Sequence, residues 1–285
     1  MAVTQYLQPT TLEGALGALG DLGEEARPLA GGQSLMVLLH EGLVAPTTLV
    51  GLSRVAGLAD IGAADGGLRI GAMATHSQVL AHPEIRARWP LLAAAEEAVS
   101  TVQIRNQGTL CGNLAHAYPS ADPPAALMAL DAVVEVASAS GARQVAVEDL
   151  FTGPLTTVLD PGELITAVRL PAPPPGDRSA YRKYALRPLD FPIVGAAVRV
   201  VIDGGGTCRQ VRIAVNGGSN RPIRLSTAEA EVEGAVASRQ VVAAASDAAS
   251  SEADPLEEVF ESAAYRRRMV GVYVGRALAD ALGVG

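Results

Sequence analysis

Ala30-Gly31-Gly32-Gln33-Ser34 and Thr109-Leu110-Cys111-Gly112-Asn113 restrict what this chain can fold into more than any other stretches in it. The first follows Arg27-Pro28-Leu29-Ala30, which suits a short strand, and precedes the apolar run Leu35 to His40, which suits a helix. Strand, glycine turn and helix start, in that order, aim several main-chain N–H groups at one point, and the positive end of the helix adds to them. An anion is favoured there. Glycine lets the turn close and lets a phosphate approach the backbone. By itself the pentapeptide could equally be an ordinary connection. The second turn lies within Ile104 to Asp122, a polar stretch between apolar helical segments. A loop of that length in a compact unit is usually functional, although a plain surface loop would look the same. The two turns are expected to converge on one phosphate-bearing ligand, and a bulky residue at Gly32 is expected to expel it while leaving the chain folded.

The rest of the chain is organised around this pair. Thr10-Thr11 cap a helix through Leu12, Ala15, Leu16 and Leu19. Short strands are expected near Thr48–Gly51, Leu58–Ile61 and Leu68–Ile70, then a helix over Ser77–Ala81 capped by Thr75 and another from Pro90 to Ala98. Asp122-Pro123-Pro124 reads as a cap and first turn of a helix through Leu130. Strands follow at Val133–Val136, Gln144–Val147 and Glu163–Leu170. Pro171 to Gly176 is the clearest linker in the chain. Beyond it, Ala180–Leu186, Val194–Val201 and Gln210–Val215 suggest three strands, with Gly204-Gly205-Gly206 as a hairpin connection. Helices are expected near Thr227–Glu233, Arg239–Ser246 and Leu256–Leu282.

Composition excludes several classes. Hydrophobic residues are 49% of the 285 and the net charge is −8, so the chain can bury a sizeable core and offers no basic surface to nucleic acid. The run Arg266-Arg267-Arg268 falls in a helical pattern and suits a solvated or docking face. Two cysteines, Cys111 and Cys208, with no CxxC, cannot hold an iron–sulfur cluster, and the four histidines lack metal-ligand spacing. No apolar run reaches the roughly 18 residues of a membrane span, and no signal peptide is expected. The scarcity of cysteine suits a cytoplasmic location.

The combination of AGGQS, RNQGTLCGNLAHAYPSADPPAALMALDA and a Pro-linked α+β tail resembles the FAD-binding medium subunit of the molybdenum hydroxylases, the family of xanthine dehydrogenase and carbon monoxide dehydrogenase. The resemblance spans nearly the whole chain. It implies an α+β FAD-binding fold of the vanillyl-alcohol-oxidase/p-cresol-methylhydroxylase type, with two subdomains over residues 1–54 and 55–171. A linker at 172–177 and a C-terminal domain at 178–285, three antiparallel strands with helices, would follow. By match to the family motifs, Ala30, Gly31, Gly32, Gln33 and Ser34 with Thr109, Leu110, Cys111, Gly112 and Asn113 would hold the pyrophosphate of a noncovalent FAD. Asp122 would reach the adenosine side or brace that loop. Ile165 would contact the ring system, Lys183 would lie near the flavin or its phosphates, and the loop Leu186 to Ile193, with Asp190, would border the isoalloxazine. Gln33 stands where many relatives have His, and Cys111 where Gly is commonest.

The resemblance further implies an electron-transfer role with no catalytic residue in this chain. A large subunit would carry the molybdenum cofactor and hydroxylate the substrate. A small subunit would pass electrons through [2Fe–2S] clusters to FAD, and an external acceptor would take them. The whole would form a dimer of heterotrimers. His116, between the second turn and Asp122, is expected to order the loop, and Cys111 to be a packed residue with no redox role. Two other functions remain open at this point: a self-sufficient FAD-dependent dehydrogenase or oxidase of a small alcohol or phenol, and a non-enzymatic nucleotide-binding module.

Overall fold

Thr11 accepts a hydrogen bond from the N–H of Gly14 and so starts α1 (Leu12–Leu22), whose buried face is Ala15, Leu16 and Leu19. In the computed structural model, which describes residues 3–257 and 261–284, this face packs on a three-stranded parallel sheet of β1 (Gln5–Leu7), β2 (Ala26–Leu29) and β3 (Thr48–Gly51), with β3 central. The first glycine turn leaves β2 and enters α2 (Leu35–His40).

The second sheet is antiparallel and joins β4 (Ile61–Ala64), β5 (Gly67–Gly71), β6 (Val133–Ser138) and β7 (Gly141–Ala146) around a central strand. A small hairpin, β8 (Phe151–Gly153) and β9 (Thr156–Thr157), precedes that strand, β10 (Leu164–Leu170). Because β10 is covered on both faces, its run is almost continuously apolar. A register shift between Ile165 and Ala167 bends it beside the cleft described below. Between β5 and β6 run α3 (His76–Ala81), α4 (Pro83–Arg88), α5 (Pro90–Glu97), α6 (Val102–Arg105), α7 (Leu110–His116) and α8 (Asp122–Ala129). Thr75 and Gln78 close a full capping box at the start of α3. α9 (Val147–Leu150) follows β7.

The third sheet has four antiparallel strands where three were expected: β11 (Asp177–Tyr184), β12 (Val194–Ile202), β13 (Cys208–Asn216) and β14 (Ile223–Arg224). Two residues are too few to show alternation, which is why β14 has no sequence signature. α8, buried along its whole length, lies against one face of β12 and β13. The other face carries α10 (Ser226–Val232) and α12 (Ala263–Leu282), with α11 (Arg239–Glu252) stacked on both. Gly271 and Gly275 let α12 meet α11 closely, since a Cβ at Gly271 would sit 2.7 Å from the Ser246 carbonyl.

Three other expectations change. The segment near Leu58 is not a strand: Leu58 is a core residue whose carbonyl accepts from the Met73 N–H at 2.7 Å, and the strand begins at Ile61. The stretch Ile104 to Asp122 is not one loop but carries the end of α6 and all of α7, because Thr109 caps a short helix there. The last helix begins at Ala263 behind its cap Ser262. The part of the expected helix at residues 258–260 lies outside the described residues.

Candidate functional site

The first turn is shaped by two glycines with different tasks. Gly32 has φ +71°, a left-handed conformation that most side chains resist. Gly31 has an ordinary φ, but a Cβ there would overlap the carbonyl oxygen of Gln107 and lie 2.8 Å from the Cα of Gly108. The first turn therefore touches the backbone that leads into the second. Gln33 reinforces the junction, its Nε2 donating to Gln107 Oε1 and to the Gly31 carbonyl, both at 3.1 Å. The N–H groups of Gly32, Gln33 and Ser34 find no acceptor among the described residues. Ser34 occupies the cap position of α2 without a capping side-chain bond.

The second turn is the start of α7. Thr109 Oγ1 accepts from the Gly112 N–H at 3.1 Å, and the Thr109 carbonyl accepts from the Asn113 N–H at 2.9 Å. The Gly112 and Asn113 donors are thus used internally. The turn contributes the bare face of Gly112, whose Cβ would lie 2.7 Å from Thr109 Oγ1, and the side chain of Asn113. The amide oxygen of Asn113 is buried and has no donor among the described residues. An orphaned acceptor of this kind calls for a ligand hydroxyl or N–H.

Both turns line one cleft of about 840 Å³. Of the expected site residues, Ala30, Gly31, Gly32, Gln33, Ser34, Thr109, Cys111, Gly112, Asn113, Asp122 and Ile165 border it. Leu110 and Lys183 do not. Leu110, expected at the pyrophosphate, is a fully buried core residue on the inward side of α7. Lys183 instead donates from Nζ to Asp122 Oδ2 at 3.1 Å and to the Ala98 carbonyl at 2.8 Å.

Asp122 does not cap α8. The cap position is Ala121, and Asp122 is the first helical residue with its carboxylate turned toward β11. Tyr181 and Lys183, two residues apart on one face of that strand, offer it better donors than the helix N-terminus does: the Tyr181 hydroxyl donates to Oδ1 at 2.8 Å. Asn216 of β13 extends the network by donating to the Ala121 carbonyl at 2.6 Å. Burial raises the Asp122 pKa from 3.8 to about 6 despite the opposing pull of Lys183 and the Tyr181 hydrogen bond.

Cys111 is buried, and desolvation lifts its thiol to about 12. Cys208 is also buried and its thiol is raised for the same reason. Neither thiol is expected to react with Ellman's reagent at pH 8 in the native chain, and both should react on denaturation in urea. Rapid native labelling of Cys111 would contradict its packing. His116 stacks on Tyr118, with ring centroids 6.3 Å apart, and burial lowers its pKa, so it is uncharged at neutral pH and shapes the loop. Tyr118 in turn meets Phe191 at 4.5 Å, which brings the segment Leu189 to Phe191 over the cleft mouth.

Some lining was not visible in the sequence. Leu43 and Val44, Ser100, and Leu155 come from three separate segments and belong to no motif. His76 also lines the cleft, paired with Glu96 twenty residues away, a separation with no recognisable spacing.

The cleft suits a dinucleotide flavin. It has free main-chain donors for a pyrophosphate at one turn, an orphaned acceptor at the other, close-approach glycines at both, and an apolar wall reaching Ile165. Comparison with known proteins agrees. Residues 2–173 match the family described as FAD binding domain in molybdopterin dehydrogenase, and residues 179–281 match the CO dehydrogenase flavoprotein C-terminal domain. The chain is 38% identical to the 6-hydroxypseudooxynicotine dehydrogenase complex subunit alpha of Paenarthrobacter nicotinovorans, over 97% of this chain and 94% of that one. It superposes on carbon monoxide dehydrogenase from Hydrogenophaga pseudoflava with a TM-score of 0.95 at 33% identity, covering 98% and 97% of the two chains. Quinoline 2-oxidoreductase from Pseudomonas putida 86 gives a TM-score of 0.92 at 32% identity, covering 98% and 96%. Among the described residues no helix is long and apolar enough to cross a membrane. The chain belongs to the FAD-binding medium subunits of the molybdenum hydroxylases and is an oxidoreductase subunit.

Proposed function

We propose that this subunit is the electron relay of a molybdenum hydroxylase complex. The observation that carries the proposal is the convergence of the two glycine turns on one cleft, with Asn113 Oδ1 lacking a donor there. FAD, when bound, supplies the step between one-electron delivery by [2Fe–2S] clusters of a small partner subunit and two-electron transfer to an external acceptor. The N–H groups of Gly32, Gln33 and Ser34 would hold its pyrophosphate. Asn113 would accept from a hydroxyl or N–H of the cofactor. Ile165 and the segment Leu189 to Phe191 would exclude water from the ring. Asp122 would border the cofactor, and Lys183 would brace Asp122 from behind. No covalent bond to the flavin is invoked.

Substrate hydroxylation would then occur in a large subunit carrying the molybdenum cofactor, within a dimer of heterotrimers. With both thiols free and buried, the chain suits a reducing compartment such as the cytoplasm. Neither the self-sufficient oxidase nor the non-enzymatic module is favoured. The relatives it matches end to end include a dehydrogenase complex subunit and a dehydrogenase medium chain.

The full chain purified alone is expected to be yellow. Its flavin should stay oxidised when substrates of the complex are added, and be reduced once the two partner subunits are restored. A colourless chain that cannot be reconstituted with FAD would refute the proposal, and reduction by substrate without partners would favour the self-sufficient enzyme.

A further inference from the structure

Behind the second turn lies a buried pair of ionisable side chains that the proposed relay does not use. The start of α3 is tied to this turn by backbone hydrogen bonds. The His76 N–H donates to the Gly108 carbonyl at 3.0 Å, and the Leu110 N–H donates to the Ala74 carbonyl at 3.2 Å. These bonds fix the His76 imidazole against the turn. Its Nδ1 lies 2.6 Å from Glu96 Oε2, while its Cδ2–Nε2 edge lies so close to Gly108 that a Cβ there would meet the two atoms at 3.1 and 3.4 Å. His76 and Gly108 both line the cleft.

Glu96 is fully buried on α5, and its other oxygen, Oε1, has no donor among the described residues. A carboxylate accepts only, so the imidazole proton of this contact sits on Nδ1. His76 is the one basic side chain paired with Glu96 among the described residues. A buried carboxylate is tolerated when a partner of opposite charge neutralises it. Paired as imidazolium and carboxylate, the two side chains would leave Nε2 carrying a hydrogen as well. It has no acceptor among the described residues and stands at the cleft wall beside Gly108.

We propose that His76 is a further FAD-holding residue: its Nε2–H donates to an acceptor atom of the cofactor beside Gly108, and Glu96 is the positioning residue that keeps the imidazole charged and oriented. The proposal rests on the cleft being the FAD site. It gives the second turn a charged donor in place of the main-chain donors that α7 uses internally.

The test is a double-mutant cycle on the full chain, with FAD affinity measured by equilibrium ultrafiltration and folding by urea denaturation of the same preparations. Glu96→Gln preserves an acceptor for Nδ1–H but removes the charge, so Nε2 becomes an acceptor. FAD affinity is expected to fall about 10- to 100-fold, the range for hydrogen bonds to charged groups. His76→Leu is expected to fall by a similar factor. Adding Glu96→Gln to His76→Leu should change FAD affinity no further, and should recover the urea midpoint that His76→Leu lowers by stranding Glu96. That split between affinity and stability is one that a purely structural role would not produce. Additive losses of affinity that track the urea midpoint would overturn the proposal. So would a Glu96→Gln chain that binds FAD like the wild type. A wild-type chain that binds no FAD would instead overturn the cofactor assignment of the cleft itself.

Discussion

Gly31→Val is expected to abolish FAD retention. The added carbons would overlap the Gln107 carbonyl and press on the Gly108 Cα, which are backbone atoms of the second turn's approach. No rotamer change relieves such a clash; the two turns have to part. Overpacking of this kind costs about 1–3 kcal/mol where side chains can yield, and more where only backbone can. The part of the chain that yields is the surface junction held by Gln33 and Gln107, so the core should survive while the cleft widens. Gly32 was the position singled out from the sequence, yet its Cβ would meet only side-chain atoms, Leu29 Cδ1 at 3.3 Å and Met36 Cγ at 3.4 Å, and no backbone. The penalty there is the left-handed φ, about 1–2 kcal/mol. Flavin content after gel filtration should therefore rank wild type above Gly32→Ala, and Gly32→Ala well above Gly31→Val. The urea midpoint of Gly31→Val should stay within the cooperative range. Full flavin occupancy in Gly31→Val would mean that the turns need not touch to bind the cofactor.

That ranking shows what was legible and what was not. The turns, their order and the Asp122-Pro123 helix start are local patterns, and the elements flanking the first turn and the central strand of the second sheet fall close to where the sequence puts them. β2, α2 and β10 are each within about a residue or two of expectation, the usual uncertainty of element ends. Which glycine is crowded is a tertiary fact, because Gly31 meets Gln107 from a different segment. The same holds for Asp122. Asp-Pro-Pro is a sound capping signal, but Tyr181 and Lys183 of the edge strand β11 compete for the carboxylate and prevail. Lys183, expected near the flavin or its phosphates, lies one step behind the cleft wall, since β11 packs against α5 and its lysine reaches Asp122 and the Ala98 carbonyl. His76 escaped notice because its partner Glu96 comes from another helix and the pair follows no periodic spacing.

The second large effect is expected at that brace. Lys183→Met keeps the length of the side chain but removes the cation paired with Asp122, a carboxylate only 4% exposed. Breaking one side of a buried pair costs about 3–5 kcal/mol when the remaining charge stays buried. Asp122 already binds its proton more tightly in the folded chain, at about 6 against 3.8. The folded state therefore holds more protons than the unfolded one across that window, so stability falls as pH rises from about 4 to 6 and then levels off. The wild-type contribution is on the order of 3 kcal/mol. Losing Lys183 removes a force that lowers the Asp122 pKa, so in Lys183→Met the fall should continue to higher pH. The difference in unfolding free energy between wild type and Lys183→Met should be small at pH 5 and large at pH 8, when urea melts of both are compared at each pH. Adding Asp122→Asn removes the stranded charge while its amide oxygen still accepts from the Tyr181 hydroxyl. This double variant should regain most of the lost stability at pH 8 and lose the pH dependence of the difference. A Lys183→Met deficit that is the same at pH 5 and pH 8 would show that Lys183 contributes through packing and its bond to Ala98, and that Asp122 does not depend on it.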